Sequence, residues 1–244
     1  MPPRFFVDQP LLSAGELELP PAAARHVQVL RLQPGSAITL FDGSGGDEWA
    51  AEVLAMGRSS VRVRLLERHA AARELAQDLT LALVMPANDR MDSLVEKATE
   101  LGVAAIQPLM SERSVLRLAG ERAEKKVAHW HGVAIAACEQ SGRTRVPQIA
   151  PVQSLSNWLA SLPESAADER RWLLSPVATE PLGAQATAAR MLVLSGPEGG
   201  LSDAEEAAAR SRGFSALSLG PRILRADTAP MAVAAWLAVQ GAAQ

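Results

Sequence analysis

The chain contains a single cysteine, Cys138, so no intrachain disulfide can form. The histidines, His26, His69, His129 and His131, show no metal-ligand spacing with that thiol, and neither a structural zinc nor any other metal is expected. No stretch approaches the roughly 18 uninterrupted apolar residues that a membrane helix needs, which excludes that kind of span. The first residues bring charge at Arg4 and Asp8 and lack the apolar segment of an export signal, so a cytosolic protein without a membrane partner is expected. Excess positive charge is also missing. With a formal net charge of −3, any binding of nucleic acid has to rest on a local patch. Tyrosine is absent and arginine far outnumbers lysine, a bias of genome composition before function. Internal repeats and low-complexity tracts are absent as well.

What is present is ordinary for a globular protein. Hydrophobic residues make up 48% and charged residues 21% of 244, enough for one large α/β domain or for a small domain joined to a medium one. The first seventy or so residues read as β structure, with short runs at 4–7, 37–41, 49–54 and 61–66 separated by glycine-rich turns, the pattern of a small barrel. In the last run Val61, Val63 and Leu65 fall on one side and Arg62 and Arg64 on the other, because side chains alternate along a strand. The turn Gly43-Ser44-Gly45-Gly46 is explained by hairpin geometry alone. A polar, alanine-rich stretch between Glu67 and Asp78 marks a domain boundary. Beyond it strands at 79–85, 104–109, 172–174, 191–194 and 216–219 alternate with helices over 89–101 and 121–140 and others starting near Ser202 and Asp227. Such alternation predicts a largely parallel sheet covered on both faces, with ligands at the carboxyl ends of its strands.

Two loops carry the chemistry. The apolar strand Met191 to Leu194 runs through Ser195 into Gly196-Pro197-Glu198-Gly199-Gly200, and Ser202 with Glu205 forms a capping box that starts the next helix. Glycines let main-chain groups approach a ligand, and N–H groups ahead of a helix can hold polar or anionic atoms. The spacing is not that of a dinucleotide fingerprint, and the lysine of a P-loop is missing. A plain strand-to-helix turn explains the same residues. One helix and one strand later, Leu219-Gly220-Pro221-Arg222-Ile223-Leu224-Arg225-Ala226-Asp227 leads into the last helix. Taken alone it reads as a helix entry capped by Asp227 or Thr228 with solvated arginines.

Together with Glu139-Gln140-Ser141-Gly142-Arg143, these motifs closely resemble those of the bacterial 16S rRNA uridine-N3 methyltransferases of the SPOUT superfamily. The resemblance extends to Arg4-Phe5-Phe6-Val7, to His26 with Val29-Leu30-Arg31, and to Thr39 through Gly43, so it spans nearly the whole chain. It implies an α/β fold with an N-terminal PUA-like RNA-binding β-barrel at 1–72 and, at 76–244, a C-terminal domain tied in a deep trefoil knot. Periodicity carries no sign of a knot, since connections are ordinarily unknotted. It also implies an S-adenosyl-L-methionine site made by the loop after Leu174 and Ser175, by Leu194 and Gly196, Pro197, Glu198, Gly199 and Gly200, and by the backbone of Leu219, Gly220, Ile223, Leu224 and Arg225. The family commonly has Thr-Glu where this chain has Ala226-Asp227, a shorter carboxylate.

Uridine N3 carries a proton at neutral pH, so methylation there requires stabilisation of the anion. Arg225, aided by Arg4 or Arg143, is the candidate for holding charge on O2 and O4. Glu139 and Asp227 are candidates for taking the proton, although Glu139 also suits a helix-end residue paired with Arg143. Candidates for gripping 16S rRNA, within the small ribosomal subunit, are Arg4, Arg31, Arg62 and Arg64. The run Arg113, Arg117, Arg122, Lys125 and Lys126 is a further candidate, but it is interleaved with Glu112, Glu121 and Glu124, and Arg122 to Lys126 read as a solvated face. The last helix is apolar on most of its circumference, which suits a homodimer interface implied by the resemblance or simply a buried helix. Rival readings are a SPOUT methyltransferase acting on a ribose 2′-oxygen or a tRNA base, and a ribosome-binding module without catalysis.

Overall fold

The computed structural model describes residues 2–87 and 90–241. Asp89, the expected start of a helix, lies outside the described residues. The chain divides into two compact units, one of residues 1–74 with 135–146 and one of 75–134 with 147–244. A single boundary near residues 72–76 therefore misses an excursion: the end of a long helix and the turn after it count with the first unit. No periodic pattern marks such a return, because it is set by tertiary packing.

The first unit holds a five-stranded sheet in the order β1-β3-β4-β5-β2, formed by β1 (Arg4–Phe6), β2 (Gly15–Glu18), β3 (Ala37–Phe41), β4 (Asp47–Met56) and β5 (Val61–Ala70). β1 runs parallel to β3 and the other pairs are antiparallel. The alternation in β5 is realised: Val61, Val63 and Leu65 are buried while Arg62 and Arg64 are exposed. They join Phe5, Ile38, Leu40, Trp49 and Val53 in one apolar core. Two elements depart from an all-strand reading. Helix α1 (Pro21–Val29) starts with proline at its first turn, where the missing N–H costs nothing, and buries Ala23, Ala24 and Val27. β2 is an edge strand with mostly exposed residues, Gly-Glu-Leu-Glu, and gives no alternating signal. β5 continues to Ala70, four residues past its expected end, by pairing with β4 as far as Asp47.

An ionic cluster ties this unit together. Arg4, nearly buried, pairs with Glu48, donates to the carbonyl of Arg143 at 3.0 Å and lies 5.0 Å from the ring centre of Phe41. Arg73 reaches the same carboxylate at 2.7 and 3.0 Å. The hydrogen bond from Arg73 draws the Glu48 carboxyl down to about 2, with burial opposing and Arg4 adding to the effect.

The second unit is built on a seven-stranded sheet in the order β12-β10-β11-β6-β7-β8, with β9 also on β7. Its strands are β6 (Asp78–Val84), β7 (Ala105–Met110), β8 (Gln148–Ile149), β9 (Gln153–Ser154), β10 (Glu169–Leu174), β11 (Arg190–Ser195) and β12 (Ser215–Leu217), and every pair is parallel. Central β11 is apolar and buried on both faces, as a parallel strand between helices requires. Ala82, Val84, Leu192 and Leu194 pack on one side with α4 (Leu155–Ser161) and α5 (Asp203–Ser211). The intervening Leu81, Leu83 and Val193 are also buried, on the side taken by α2 (Arg90–Glu100) and α6 (Thr228–Gly241). α6 buries Val233, Ala234 and Leu237, and its Trp236 lies 6.1 Å from Trp172. α4 escaped the sequence reading because its seven residues are too few to display a period. The long helix, α3 (Gly120–Ser141), anchors to α2 through Asp92, which accepts from Trp130 Nε1 at 2.9 Å and meets His129 at 2.7 Å.

The ionic cluster predicts an acid-dependent stability. Glu48 has a folded-state pKa below the ordinary 4.5, so its contribution is present above that value and is lost as pH falls from about 4.5 towards about 2. Glu48→Gln strands two arginines and is expected to cost about 3 kcal/mol at pH 7. In urea unfolding the gap to wild type should close between pH 4.5 and pH 2; a gap independent of pH would refute the assignment.

Candidate functional site: a cavity at the ends of three parallel strands

The register of the second sheet builds the site. Leu174 at the end of β10 stands opposite Ser195 on one side and Leu217 on the other, so three carboxyl ends are level. The loops that leave them, 175–177, 196–201 and 218–227, must therefore emerge side by side. They line one cavity of about 570 Å3, within the range of small-molecule sites. Both glycine-containing turns singled out from sequence contribute. Leu174, Ser175, Gly196, Pro197, Glu198, Gly199 and Gly200 lie on the wall, as do Leu219, Gly220, Ile223, Leu224 and Arg225.

Leu194 does not line it. Its side chain is fully buried in the core with α4 and α5, because alternation along β11 turns residue 194 into the sheet's helical cover. The lining also includes Arg113, Leu217 and Glu206, which sequence reasoning did not place there, and Val177 and Ser195 from segments that it did. Leu217 could have been found, since its place at the end of an apolar strand follows the same rule as Leu174. Arg113 could not. It follows β7, three strands away from β10, and only the folded order brings it near.

Each loop is held by named side chains. Arg113 Nη1 donates to the carbonyls of Gly199 at 2.9 Å and Leu201 at 3.3 Å, so this arginine, a sequence candidate for gripping RNA, braces the turn. Gly200 has φ +69, a conformation that side chains disfavour, and the reversal depends on it. The Glu198 carboxylate accepts the backbone N–H of Ala87 at 3.2 Å and lies 3.5 Å from Arg90. Arg90 also lies 3.9 Å from Asp227, which places one guanidinium between the two loops. Ser175 donates to Glu206 at 3.1 Å.

The expected capping box is present: Ser202 Oγ accepts from Glu205 N–H at 3.3 Å, and the Glu205 carboxylate accepts from Ser202 N–H at 2.9 Å. That changes the character of the helix end. The box satisfies the N–H groups of Ser202 and Glu205, and the first turn of α5 carries Asp203, Glu205 and Glu206, negative side chains that favour a cationic group over an anion beside them. The cavity wall itself is largely apolar, from Leu174, Leu217, Leu219 and Leu224. Arg222 and Arg225 are exposed, and among the described residues neither side chain has a hydrogen-bond or ionic partner.

The remaining candidates lie elsewhere. Glu139 and Arg143 belong to the first unit. Glu139 accepts from Phe6 N–H at 3.0 Å and sits 3.1 Å from His26 Nδ1, and burial pushes its carboxyl above the usual range. Arg143 is buried, with Nε 2.9 Å from Glu74. Arg4 is buried on Glu48, which leaves no open face for RNA and corrects its expected role as a surface grip. Arg62 and Arg64 are exposed but stand 3.9 and 3.4 Å from Glu16, because β2 pairs with β5 in the register that sets Glu16 opposite Arg64. Arg31 is exposed and has φ +55.

Comparison with known proteins gives this geometry a family. Residues 73–238 match the model of an RNA methyltransferase domain, and residues 19–66 match an RNA methyltransferase PUA domain. The chain belongs to the RNA methyltransferase family defined by that domain. A family member named ribosomal RNA small subunit methyltransferase E, from Synechocystis, is 34% identical over 83% of this chain and 66% of its own length, so the chain spans just under two thirds of that relative. A crystal structure of a protein of the same name from Neisseria gonorrhoeae, bound to S-adenosyl methionine, superposes with a TM-score of 0.90 at 34% identity and covers 98% of both chains. A methyltransferase from Legionella pneumophila in complex with the bound cofactor SAM gives 0.89 at 32% identity, over 100% of this chain and 98% of the other.

Arg113→Met should loosen the Gly199–Leu201 turn without unfolding the sheet. The expected loss is about 1 kcal/mol, from two charge-assisted hydrogen bonds made in water's reach. Hydrogen exchange of the amides at 199–202 should quicken by roughly tenfold; unchanged protection there would show that the brace is idle.

Proposed function

We propose that this chain transfers the methyl group of S-adenosylmethionine to N3 of a specific uridine in small-subunit (16S) rRNA. The observation that carries the reading is the convergence of the 196–200 and 219–225 turns on one cavity in a chain of this family, two of whose similar structures hold S-adenosylmethionine. The cavity suits that ligand. Apolar walls beside exposed backbone fit adenine, and the acidic first turn of α5 with Glu206 fits a ligand that carries a sulfonium and an ammonium. Bound there, the donor supplies an electrophilic methyl carbon.

The protein's own part is to make uridine N3 nucleophilic. Arg225 shares the cavity wall, and its guanidinium, without a partner among the described residues, is available to hold the negative charge that spreads onto O2 and O4 as the N3 proton leaves. Asp227, two residues on in the same loop, is the acceptor favoured for that proton. Its proximity to Arg90 keeps a carboxylate of shorter reach than the family's usual glutamate oriented beside the loop. Glu139, whose carboxyl burial pushes above the usual range, is the alternative acceptor, and Arg143 is the candidate that would aid Arg225 in stabilising the anion.

The finer structural reading belongs with this function. The sheet of the first unit acts as a PUA-like RNA-binding barrel, and the second unit is a SPOUT domain with a deep trefoil knot. The enzyme works as a cytosolic homodimer on the small ribosomal subunit. Support for the dimer comes from α6, where Met231, Ala235 and Ala238 remain partly open and Val239 is exposed although all are apolar.

Calorimetry with S-adenosylmethionine and methylation of small ribosomal subunits with labelled donor, followed by nucleoside mass spectrometry, test the proposal. Uptake of the donor and appearance of 3-methyluridine are expected; a 2′-O-methyl product or no product overturns it. Arg225→Gln should bind the donor normally, through backbone contacts that it retains, while its single-turnover rate falls about 100-fold. An unchanged rate and pH profile would remove Arg225 from the mechanism.

A further inference from the structure

The arginines of the first unit differ sharply in how they are used. Arg4 and Arg73 share Glu48, Arg68 is paired with Asp47, Arg143 with Glu74, and Arg62 and Arg64 with Glu16. Arg25, Arg31 and Arg58 are exposed and have no carboxylate partner among the described residues. These arginines are gathered in one place by Gln28. Its side-chain amide donates to the carbonyls of Gly57 at 3.0 Å and Arg58 at 3.3 Å, which pins the β4–β5 turn to the end of α1. Arg25 lies one turn earlier on that helix, and the backbone N–H of Arg31 donates to the carbonyl of Gln28 at 2.9 Å. Among them Val29 and Leu30 are 68% and 46% exposed, although both are apolar.

The backbone at Arg31 is a second observation. Arg31 N–H bonds to Gln28 and Leu32 N–H bonds to Val27 at 3.4 Å, the pair of bonds that closes a helix through a left-handed residue. Glycine fills that position without strain, and a side chain there is disfavoured. This chain places an arginine in it, with φ +55, and the side chain is exposed with no partner that repays the conformation.

We propose that Arg25, Arg31 and Arg58, set around Val29 and Leu30, form the surface by which the first unit grips the sugar-phosphate backbone of its RNA substrate. The inference rests on the RNA methyltransferase reading above and moves the grip from Arg4, Arg62 and Arg64 to this patch. The charge argument is direct. A phosphate approaching Arg62 or Arg64 competes with Glu16, whereas one approaching the patch meets guanidinium groups that no carboxylate among the described residues neutralises. The exposed apolar pair supplies contact for ribose or base faces between the phosphates, which a purely cationic surface lacks.

The test is binding of the full-length protein to a fluorescently labelled transcript of small-subunit rRNA, measured as a function of salt. Arg25→Gln, Arg31→Gln and Arg58→Gln should each weaken binding about threefold to tenfold at low salt and lower the slope of log affinity against log salt by about one. Val29→Ser should weaken binding with the slope intact. Arg31→Gly should lose the same affinity while raising the melting temperature, a combination that a purely structural arginine cannot give. Arg68→Gln, which breaks an existing ion pair away from the patch, should leave the slope unchanged.

Calorimetric uptake of S-adenosylmethionine by each variant serves as the folding control. A triple variant with wild-type affinity and slope overturns the proposal, as does displacement of the RNA by polyglutamate at matched charge, which would mark a site for acidic protein. Failure of the wild type to methylate would count against the functional reading alone, since binding to the transcript is read separately.

Discussion

Everything at the candidate site depends on the parallel pairing of β10 with β11 and β12 in a register that leaves Leu174, Ser195 and Leu217 level. A parallel strand presents its carboxyl end on the same side as its neighbours, so each following loop starts from the same edge. A shift of one residue in any of these pairs would also turn apolar side chains from one helical layer to the other. The register is therefore protected by the core itself, where Leu173, Leu192 and Leu194 are packed against Trp158 and Phe214. Stability of the sheet and placement of the cavity are the same fact viewed from two ends of the strands.

Strand ends alone leave loops free to wander, and the structure spends polar side chains to prevent it. Arg113 grips carbonyls of the first turn, Glu198 reaches back to Ala87, and Arg90 lies between Glu198 and Asp227. Most of these contacts involve an ionised group, and they bind backbone or one another without covering the cavity's apolar wall. The self-capped, acidic start of α5 completes the selection. A helix N-terminus ordinarily invites phosphate, but here the capping box takes up the N–H groups of Ser202 and Glu205, and Asp203 and Glu206 add negative charge, so this end of the cavity favours a cationic group.

Much of this was legible before folding, and the parts that were not share a cause. The glycine turns at 196–200 and 219–225, the capping box at Ser202 and the two-sided burial of β11 are local or nearly local patterns, and each is found where the pattern puts it. Leu194 was misplaced because proximity to a loop says nothing about which face of a strand a residue takes. α1 was absorbed into a run of strands because its nine residues, Pro21 followed by a short stretch in which five positions are alanine or valine, are too few to display a helical period. Arg113, the return of residues 135–146 to the first unit, and the pairing of Arg62 and Arg64 with Glu16 depend on contacts between segments far apart in sequence, where no spacing rule operates.

The distribution of charge follows from the same distinction. A chain with net charge −3 that acts on RNA cannot rely on its overall field, so its useful cations have to be those the fold has not already consumed. Burial consumes Arg4 and Arg143, whose removal from water demands Glu48 and Glu74 in return. Cross-strand pairing consumes Arg62 and Arg64. What remains is decided by geometry: Arg222 and Arg225 on or beside the cavity, and Arg25, Arg31 and Arg58 at the end of α1, have no carboxylate partner among the described residues. An arginine in sequence is only a possible contact, and the pairing of the folded protein determines whether its charge is available to a substrate.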